Sequence, residues 1–406
     1  MQRCKPNAMP TCRRLVCAVA AALIASSAVH AESQVSYTGS VLYPLIAPSG
    51  YQINQVGLLQ DGSQGAAGGQ VVGAGSPLPG GNGDNQPLLW TAPSGSVVQL
   101  DPNEPSFVNS HATSTDGIQQ VGWVGIPSHA FLWSGTAESA VDLNPTNIAG
   151  ITYSQAFGIG GGQQVGYGYG SGTNNTEHAF LWSGTAASAV DLNPAGAGGS
   201  DAFGTDGVQQ VGYGTIDGTD ASHAFLWSGT AASAVDLNPN NIAGFNTSEA
   251  LGVSNGQEVG YVSGDYTGPG HAVVWEGTAA SAVDLNPTKF GNSEAISTNG
   301  AEQVGWANGI GPYDNAYLWF GTAASGVDLQ SILPSTIAWN FSIAYSIDSS
   351  GNIYGVADAP PLNGGTQEID YAVEWSPVPE PGSLTLLAAG AAGLLARRRR
   401  KPRAVC

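Results

Sequence analysis

Cysteine is nearly absent from this 406-residue chain, and where it occurs it keeps to the ends: Cys4, Cys12 and Cys17 near the start, Cys406 as the last residue. The stretch between them can form no disulfide and no thiolate metal site. Positive charge is as scarce. Against 30 acidic residues there are 11 lysines and arginines, and all but Lys289 lie before residue 15 or after residue 396, which leaves the body near −29. A surface of that sign repels nucleic acid and anionic lipid and attracts cations. Sustained helical periodicity is missing, and so are a Gly-x-Ser-x-Gly elbow, a phosphate-binding loop, a Cys-x-x-Cys pair and a His-Glu-x-x-His helix. The common signatures of acyl transfer, nucleotide binding, thiol redox chemistry and zinc hydrolysis are therefore not written here. Glycine (58 residues) and tryptophan (ten) are what the chain has in quantity.

The two ends read as addresses. Arg13 and Arg14 precede the apolar run LVCAVAAALIASSA, and Val29-His30-Ala31 closes with small residues, so residues 1–31 are expected to be a signal peptide starting at Met1 or Met9. Cys17 opens the apolar run instead of following it, which argues against a lipoprotein signal. At the other end, Pro379, Glu380 and Pro381 are followed by an apolar stretch at 384–396 and then by Arg397, Arg398, Arg399, Arg400, Lys401 and Arg403. A short apolar helix with arginines behind it enters a bilayer with its basic side retained in the cytoplasm, so the body faces outward. About thirteen residues at ~1.5 Å each make it short for a permanent anchor in a ~30 Å hydrocarbon core.

That order resembles the PEP-CTERM sorting tail, here residues 377–406. The resemblance implies recognition and processing by an exosortase-type membrane enzyme, a membrane-anchored stage before processing, and a host that makes exopolysaccharide. Tails of this kind also carry a label taken from ice-binding proteins, which implies no ice binding in this chain.

Between the ends, one phrase recurs. HAFLWSGTAASAVDLNP stands at 178–194 and again, identically, at 223–239; a third copy at 129–145 differs at Glu138, and looser copies begin at His271 and Asn315. The tryptophans that mark the phrase or its remnants are Trp90, Trp133, Trp182, Trp227, Trp275, Trp319 and Trp375, spaced 43 to 56 residues apart. A period near 45 suits a four-stranded propeller blade or a paired-helix solenoid. The local pattern favours strands: SEALGVS and QEVGYVS flank Asn255-Gly256, a strong hairpin signal, and HAVVW alternates as a strand does. The repeat resembles the extracellular HAF repeat, named for the His-Ala-Phe at 129–131, 178–180 and 223–225, and the likeness implies no catalytic residues.

Residues 32–376 are therefore expected to form an all-β, seven-bladed β-propeller with a signal helix before it and a short transmembrane helix after it. Small residues on the first strand of each unit, such as Ala202 and Gly204, are expected at the narrow centre, with Trp and Phe of the third strand filling the space between blades. The last unit lacks a VDLNP strand after Trp375, so residues 40–45 are expected to supply it and close the ring.

Recurrence decides how the polar residues read. His129, His178, His223 and His271 stand a blade apart, too far to share one metal ion; a structural hydrogen bond is expected. Asp142, Asp191, Asp236, Asp284 and Asp328 are expected to bond to their own backbone at a turn. Variable positions are more informative. The residue before the first-strand Ala or its equivalent is Asp201, Glu249 and Glu294 in three successive units, an acidic arc able to hold Ca2+ through oxygen ligands. Trp123, Tyr167, Tyr169, Tyr213 and Trp306 are the candidate ligand-binding aromatics. The expected function is a non-catalytic structural or binding role at the cell surface or in the matrix, with exopolysaccharide as candidate partner. A carbohydrate-active glycoside hydrolase or polysaccharide lyase is the alternative.

Overall fold

A computed structural model of the chain describes residues 35–48, 51–56, 65–77, 85–102, 109–216, 221–264, 270–308, 314–360 and 369–378. The expected leader at 1–31 lies outside them, as do Pro379, Glu380, Pro381, Arg397, Arg398, Arg399 and Arg400 and the apolar stretch before them. Among the described residues no helix is long and apolar enough to cross a membrane.

The described chain forms seven antiparallel sheets arranged as a seven-bladed propeller. Blades two to six each run from an inner strand to an outer one in chain order; blade five, for example, is Thr247–Ser254, Gln257–Ser263, Gly270–Trp275 and Val283–Asp284. The hairpin at Asn255-Gly256 has both residues at positive φ, 54° and 77°, the backbone that an Asn-Gly pair adopts most readily between twisted strands. In blade one the innermost place is shared by Tyr51–Val56 and Ala66–Ala67, both paired with Gln70–Pro77.

Blade seven closes the ring as its missing strand required. Tyr37–Pro44 pairs antiparallel with Ile369–Pro377, outside Ile353–Ala359 and Phe341–Ile347. The observed strand starts three residues earlier than residues 40–45 and ends at Pro44, with Leu45 N–H still donating to Asp370 O at 2.8 Å. Tyr43, only 3% exposed, donates its hydroxyl to Gly69 O of blade one at 2.9 Å. On the other side, Tyr37 donates to Glu302 Oε1 of blade six at 2.9 Å. The first strand of the chain thus spans the seam between its first and last blades.

All seven marker tryptophans are fully buried, each removing ~150–250 Å² of ring from water and contributing about 4 to 6 kcal/mol of gross transfer energy. Trp182, for instance, packs with Val121, Leu132 and Leu143 of blade two and with Phe180 of its own blade. The centre differs from expectation. A bulge in the inner strand of blades three to seven places a large side chain between the small ones: Phe157, Phe203, Leu251, Ile296 and Tyr345. Phe157, Phe203 and Leu251 then pack on one another as an apolar cluster. The small residues have another role, which is to let strands approach. A Cβ on Gly212 would stand 2.0 Å from Asp201 O, so the position opposite Ala202 must be glycine.

The repeated phrase is a set of hydrogen bonds. In blade four, Ala224 N–H donates to Ser248 Oγ of blade five at 2.9 Å, and that hydroxyl donates to Asn238 Oδ1 at 2.8 Å. Asn238 N–H donates to Asp236 Oδ1, and Asp236 Oδ2 pairs with His223 Nδ1, both at 2.8 Å. Blades two, three and five repeat this chain through Ser154, Ser200 and Ser293. In the middle of the phrase, Ser188 Oγ accepts from Ser183 N–H and donates to Thr185 O, fixing the turn between the third strand and the short fourth strand.

Ser248 is completely buried. Ser248→Ala strands the Ala224 N–H and the Asn238 amide oxygen at a blade interface, an expected loss of about 2 to 4 kcal/mol. Thermal unfolding of the variant checks it; a melting temperature equal to wild type would show that the relay is not what joins the blades.

Candidate functional site

The phrase Val-Gly-aromatic occurs in the second strand of five successive blades and ends in Trp123, Tyr167, Tyr213, Tyr261 and Trp306. Strand register sets each ring opposite a polar residue of the inner strand: His111 with Trp123, Gln155 with Tyr167, Asp201 with Tyr213, Glu249 with Tyr261, and Glu294 with Trp306. All five rings are half-buried. Blade seven has the apolar pair Ile343 and Val356 at this level, so the pairs form a crescent over blades two to six.

The pairs differ in chemistry along the crescent. His111 stacks on Trp123 with centroids 4.4 Å apart, and burial lowers its pKa to about 4, so the ring is neutral at physiological pH. Its Nε2 is 3.0 Å from the Asn85 amide, which places an acceptor opposite a donor. Tyr213 donates to Asp201 Oδ2 at 3.1 Å. Burial, then the carboxylates of Asp201 and Glu249, push the Tyr213 phenol well above its usual value. Burial does the same to Tyr167, with help from Tyr153. These phenols are hydrogen-bond donors at neutral pH and poor bases.

Two clefts open on the crescent. One, about 400 Å³, lies between blades three and four and is lined by Tyr169, Glu177, Tyr213 and Thr215. Tyr169 stacks on Tyr153 at 4.6 Å, and burial raises the Glu177 carboxyl above its usual range. The other, about 240 Å³, lies between blades five and six and brings together Glu249, Tyr261, Glu294 and Trp306. Of the acidic arc, Glu249 and Glu294 share this cleft, while Asp201 faces Tyr213 in blade four. Among the described residues no group of three or more His, Cys, Asp or Glu side chains is placed to hold a metal ion.

The recurrent polar residues hold structure, as their repetition implied. Each histidine of the phrase pairs through Nδ1 with the aspartate thirteen residues later, at 2.8 to 2.9 Å. Each of those aspartates also accepts from the backbone N–H two residues on. In blade six Asn315 replaces the histidine and donates to Asp328 Oδ2 at 3.0 Å.

Tyr261, Glu177 and Tyr153 were not among the residues singled out from sequence. Tyr261 was legible, since it closes the same Val-Gly-aromatic phrase as Tyr213. Tyr153, which stacks on Tyr169, has no counterpart in the other repeats; Glu177 has one acidic counterpart, Asp314 before Asn315 in blade six, and only the fold shows that it lines the cleft.

Residues 377–401 match the PEP-CTERM protein-sorting motif. The chain therefore ends in the sorting signal of an exported protein, processed in general by an exosortase-type enzyme. No curated protein matches the chain. Solved structures similar to the propeller include the β-propeller domain of the trilobed protease from Pyrococcus furiosus, at 8% identity, covering 79% of this chain and 94% of that one, with a TM-score of 0.43. An oligogalacturonate lyase in complex with manganese is 9% identical, with 85% and 97% covered and a TM-score of 0.46. Pyrococcus horikoshii acylaminoacyl peptidase is 11% identical with a TM-score of 0.44; the match covers 74% of this chain and spans half the length of that enzyme. At these identities the likeness carries no activity over.

One buried carboxyl lies apart from the crescent. Blades two, three, four and six carry Gln120, Gln164, Gln210 and Gln303 in the first two positions of the second strand, with side-chain oxygens that accept from a turn glycine and amide groups that donate to neighbouring oxygens. Blade five has Glu258 there, fully buried, with Oε2 accepting from Gly277 N–H at 2.7 Å and Oε1 without a hydrogen-bond partner among the described residues. Burial raises its pKa to about 7, with a further push from Asp206 and Glu276. A folded-state pKa above the unfolded value means that stability is greatest below the unfolded pKa and falls as pH rises through 7. The expected loss above pH 8 approaches about 3 kcal/mol. Glu258→Gln should remove this dependence, melting higher than wild type at pH 8.5 with the gap narrowing at pH 5; equal melting at both values would show that Glu258 is not protonated in the fold.

Proposed function

We propose that this chain is an exported, non-catalytic β-propeller of the cell surface or extracellular matrix that holds exopolysaccharide on the crescent of blades two to six. The observation that carries the reading is the register: five successive blades place a half-buried aromatic ring beside a polar side chain on one rim. Such rings offer a large apolar face at low entropic cost, and the neighbouring groups supply directed hydrogen bonds. The non-catalytic part rests on the same repetition, since each acid of the crescent is one of a series set by register opposite an aromatic ring, and a series singles out no catalytic residue.

Retention of the host's exopolysaccharide by the purified protein, without new reducing or unsaturated ends, is the expected outcome. Trp123→Ala and Tyr213→Ala should each weaken retention about tenfold, the cost of removing an aromatic anchor. Release of new ends that grows with time would replace this reading with that of a glycoside hydrolase or polysaccharide lyase.

The tail acts before the propeller does. With its triplet outside the membrane and its basic residues inside, it gives an exosortase-type enzyme an accessible site in a fixed orientation. Mass spectrometry of the released protein should find a chain that ends before residue 384. Replacing residues 397–400 with neutral side chains should reduce both membrane retention and processing. A released chain still ending at Cys406 would show that the tail is not a processing signal.

A further inference from the structure

We propose that the cleft between blades three and four is a subsite for one neutral sugar residue of the bound glycan, seated on Tyr169 and held through two adjacent hydroxyls by Glu177. This deepens the reading above and rests on it. Two residues beyond the crescent pair, on the same strand face, blade three carries Tyr153 opposite Tyr169, where blade four has Gly199 opposite Thr215 and blade five Thr247 opposite Ser263. A wall of large residues facing a wall of small ones leaves a cleft of about 400 Å³, within the range of small-ligand sites. Tyr153 stacks on Tyr169 at 4.6 Å, and of the two only Tyr169 lines the cleft, so one ring braces the other.

The polar edge of the cleft is a built loop. Thr173 is completely buried; its hydroxyl accepts from Gly170 N–H at 3.2 Å and donates to Thr176 O at 2.7 Å, and Thr176 Oγ1 donates back to Thr173 O at 2.7 Å. Asn175 N–H donates to Gly170 O at 2.8 Å, and Ser200 N–H of blade four donates to Glu177 O at 2.9 Å. The backbone is thereby tied to itself and to the next blade. The Asn175 amide, the Glu177 carboxyl and the Tyr169 hydroxyl line the cleft with no hydrogen-bond partner among the described residues. A carboxylate only accepts, and its two oxygens match two neighbouring hydroxyls. The ring beside it takes the apolar face of a pyranose. The Tyr213 phenol is already given to Asp201, so the hydroxyls that Glu177 receives come from the ligand. A uronate residue would set its own carboxylate against Glu177, between a leader and a tail where Lys289 is the only lysine or arginine. Charge therefore selects the neutral sugar.

Equilibrium binding of the full chain to cellohexaose, maltohexaose, mannohexaose and hexagalacturonate, at low and high salt, tests this. The best neutral hexamer should bind about tenfold or more tighter than hexagalacturonate at low salt, with the gap narrowing at high salt. Glu177→Gln keeps the shape and removes no hydrogen bond of the fold, so it should weaken the neutral hexamer about tenfold, close the gap and leave the melting temperature unchanged. Tyr169→Ala should weaken the neutral hexamer by about as much. A neutral hexamer whose binding is weakened by Trp123→Ala but untouched by Glu177→Gln and Tyr169→Ala would overturn the subsite and leave the glycan-binding crescent standing. Tighter binding of hexagalacturonate would overturn the neutral class. Binding of no hexamer would overturn the subsite, and retention of the host's exopolysaccharide by the same protein would then decide the crescent separately.

Discussion

A serine hydroxyl on the inner strand of blades three to seven is the point on which the ring depends. In four successive interfaces it receives an N–H from the third strand of the preceding blade and gives its own proton to the asparagine of that blade's Asp-Leu-Asn turn. Three segments far apart in their blades are thereby fixed at one point, and the point is buried, where an unpaired group would cost about 1 to 3 kcal/mol. At the next interface, between blades six and seven, Ser342 still receives the Ala316 N–H but turns to Gln330 instead of asparagine. The contact survives although the VDLNP phrase has decayed to VDLQ, which locates the constraint in the hydroxyl more than in its acceptor.

The relay also explains how the rim can vary. Histidine, aspartate, asparagine and serine hold the backbone of blades two to five without help from the residue opposite the Val-Gly-aromatic ring. That position changes from His111 through Gln155 to Asp201, Glu249 and Glu294 with no change in strand pairing. A rigid repeated frame that leaves one position per blade unconstrained is the arrangement a binding surface needs. Its charge can be set without disturbing its geometry.

Much of this was visible in the chain. The count of blades followed from the tryptophans, and the closure followed from the missing strand after Trp375, because an exposed edge on the last sheet needs a partner. The roles of His223 and Asp236 followed from their recurrence. What could not be seen was the bulge at Phe203: alternation of small residues suggested a narrow centre, but one extra residue in the strand turns a large side chain into it while Gly212 admits the crossing backbone. Glu177 was hidden for a different reason. The position before the repeated phrase varies as Ser128, Glu177, Ser222, Gly270 and Asp314, so the period does not single it out, and the fold alone shows that it lines the cleft with Tyr213.

Placing the N-terminal strand in the last blade has a consequence for an exported propeller whose blades contain no cysteine. Blades one to six are each local in sequence, whereas Tyr37–Pro44 pairs with Ile369–Pro377 from the far end of the chain. Its side chains then reach in opposite directions, Tyr37 to blade six and Tyr43 to blade one. The seam is secured by a strand whose loss would expose two interfaces at once, so opening there is cooperative with unfolding of both neighbours. Cross-strand hydrogen bonds and two buried tyrosines do at the seam what a disulfide does in smaller secreted domains. The large ring makes this possible, since its total buried core is divided among interfaces that are all held by the same closure.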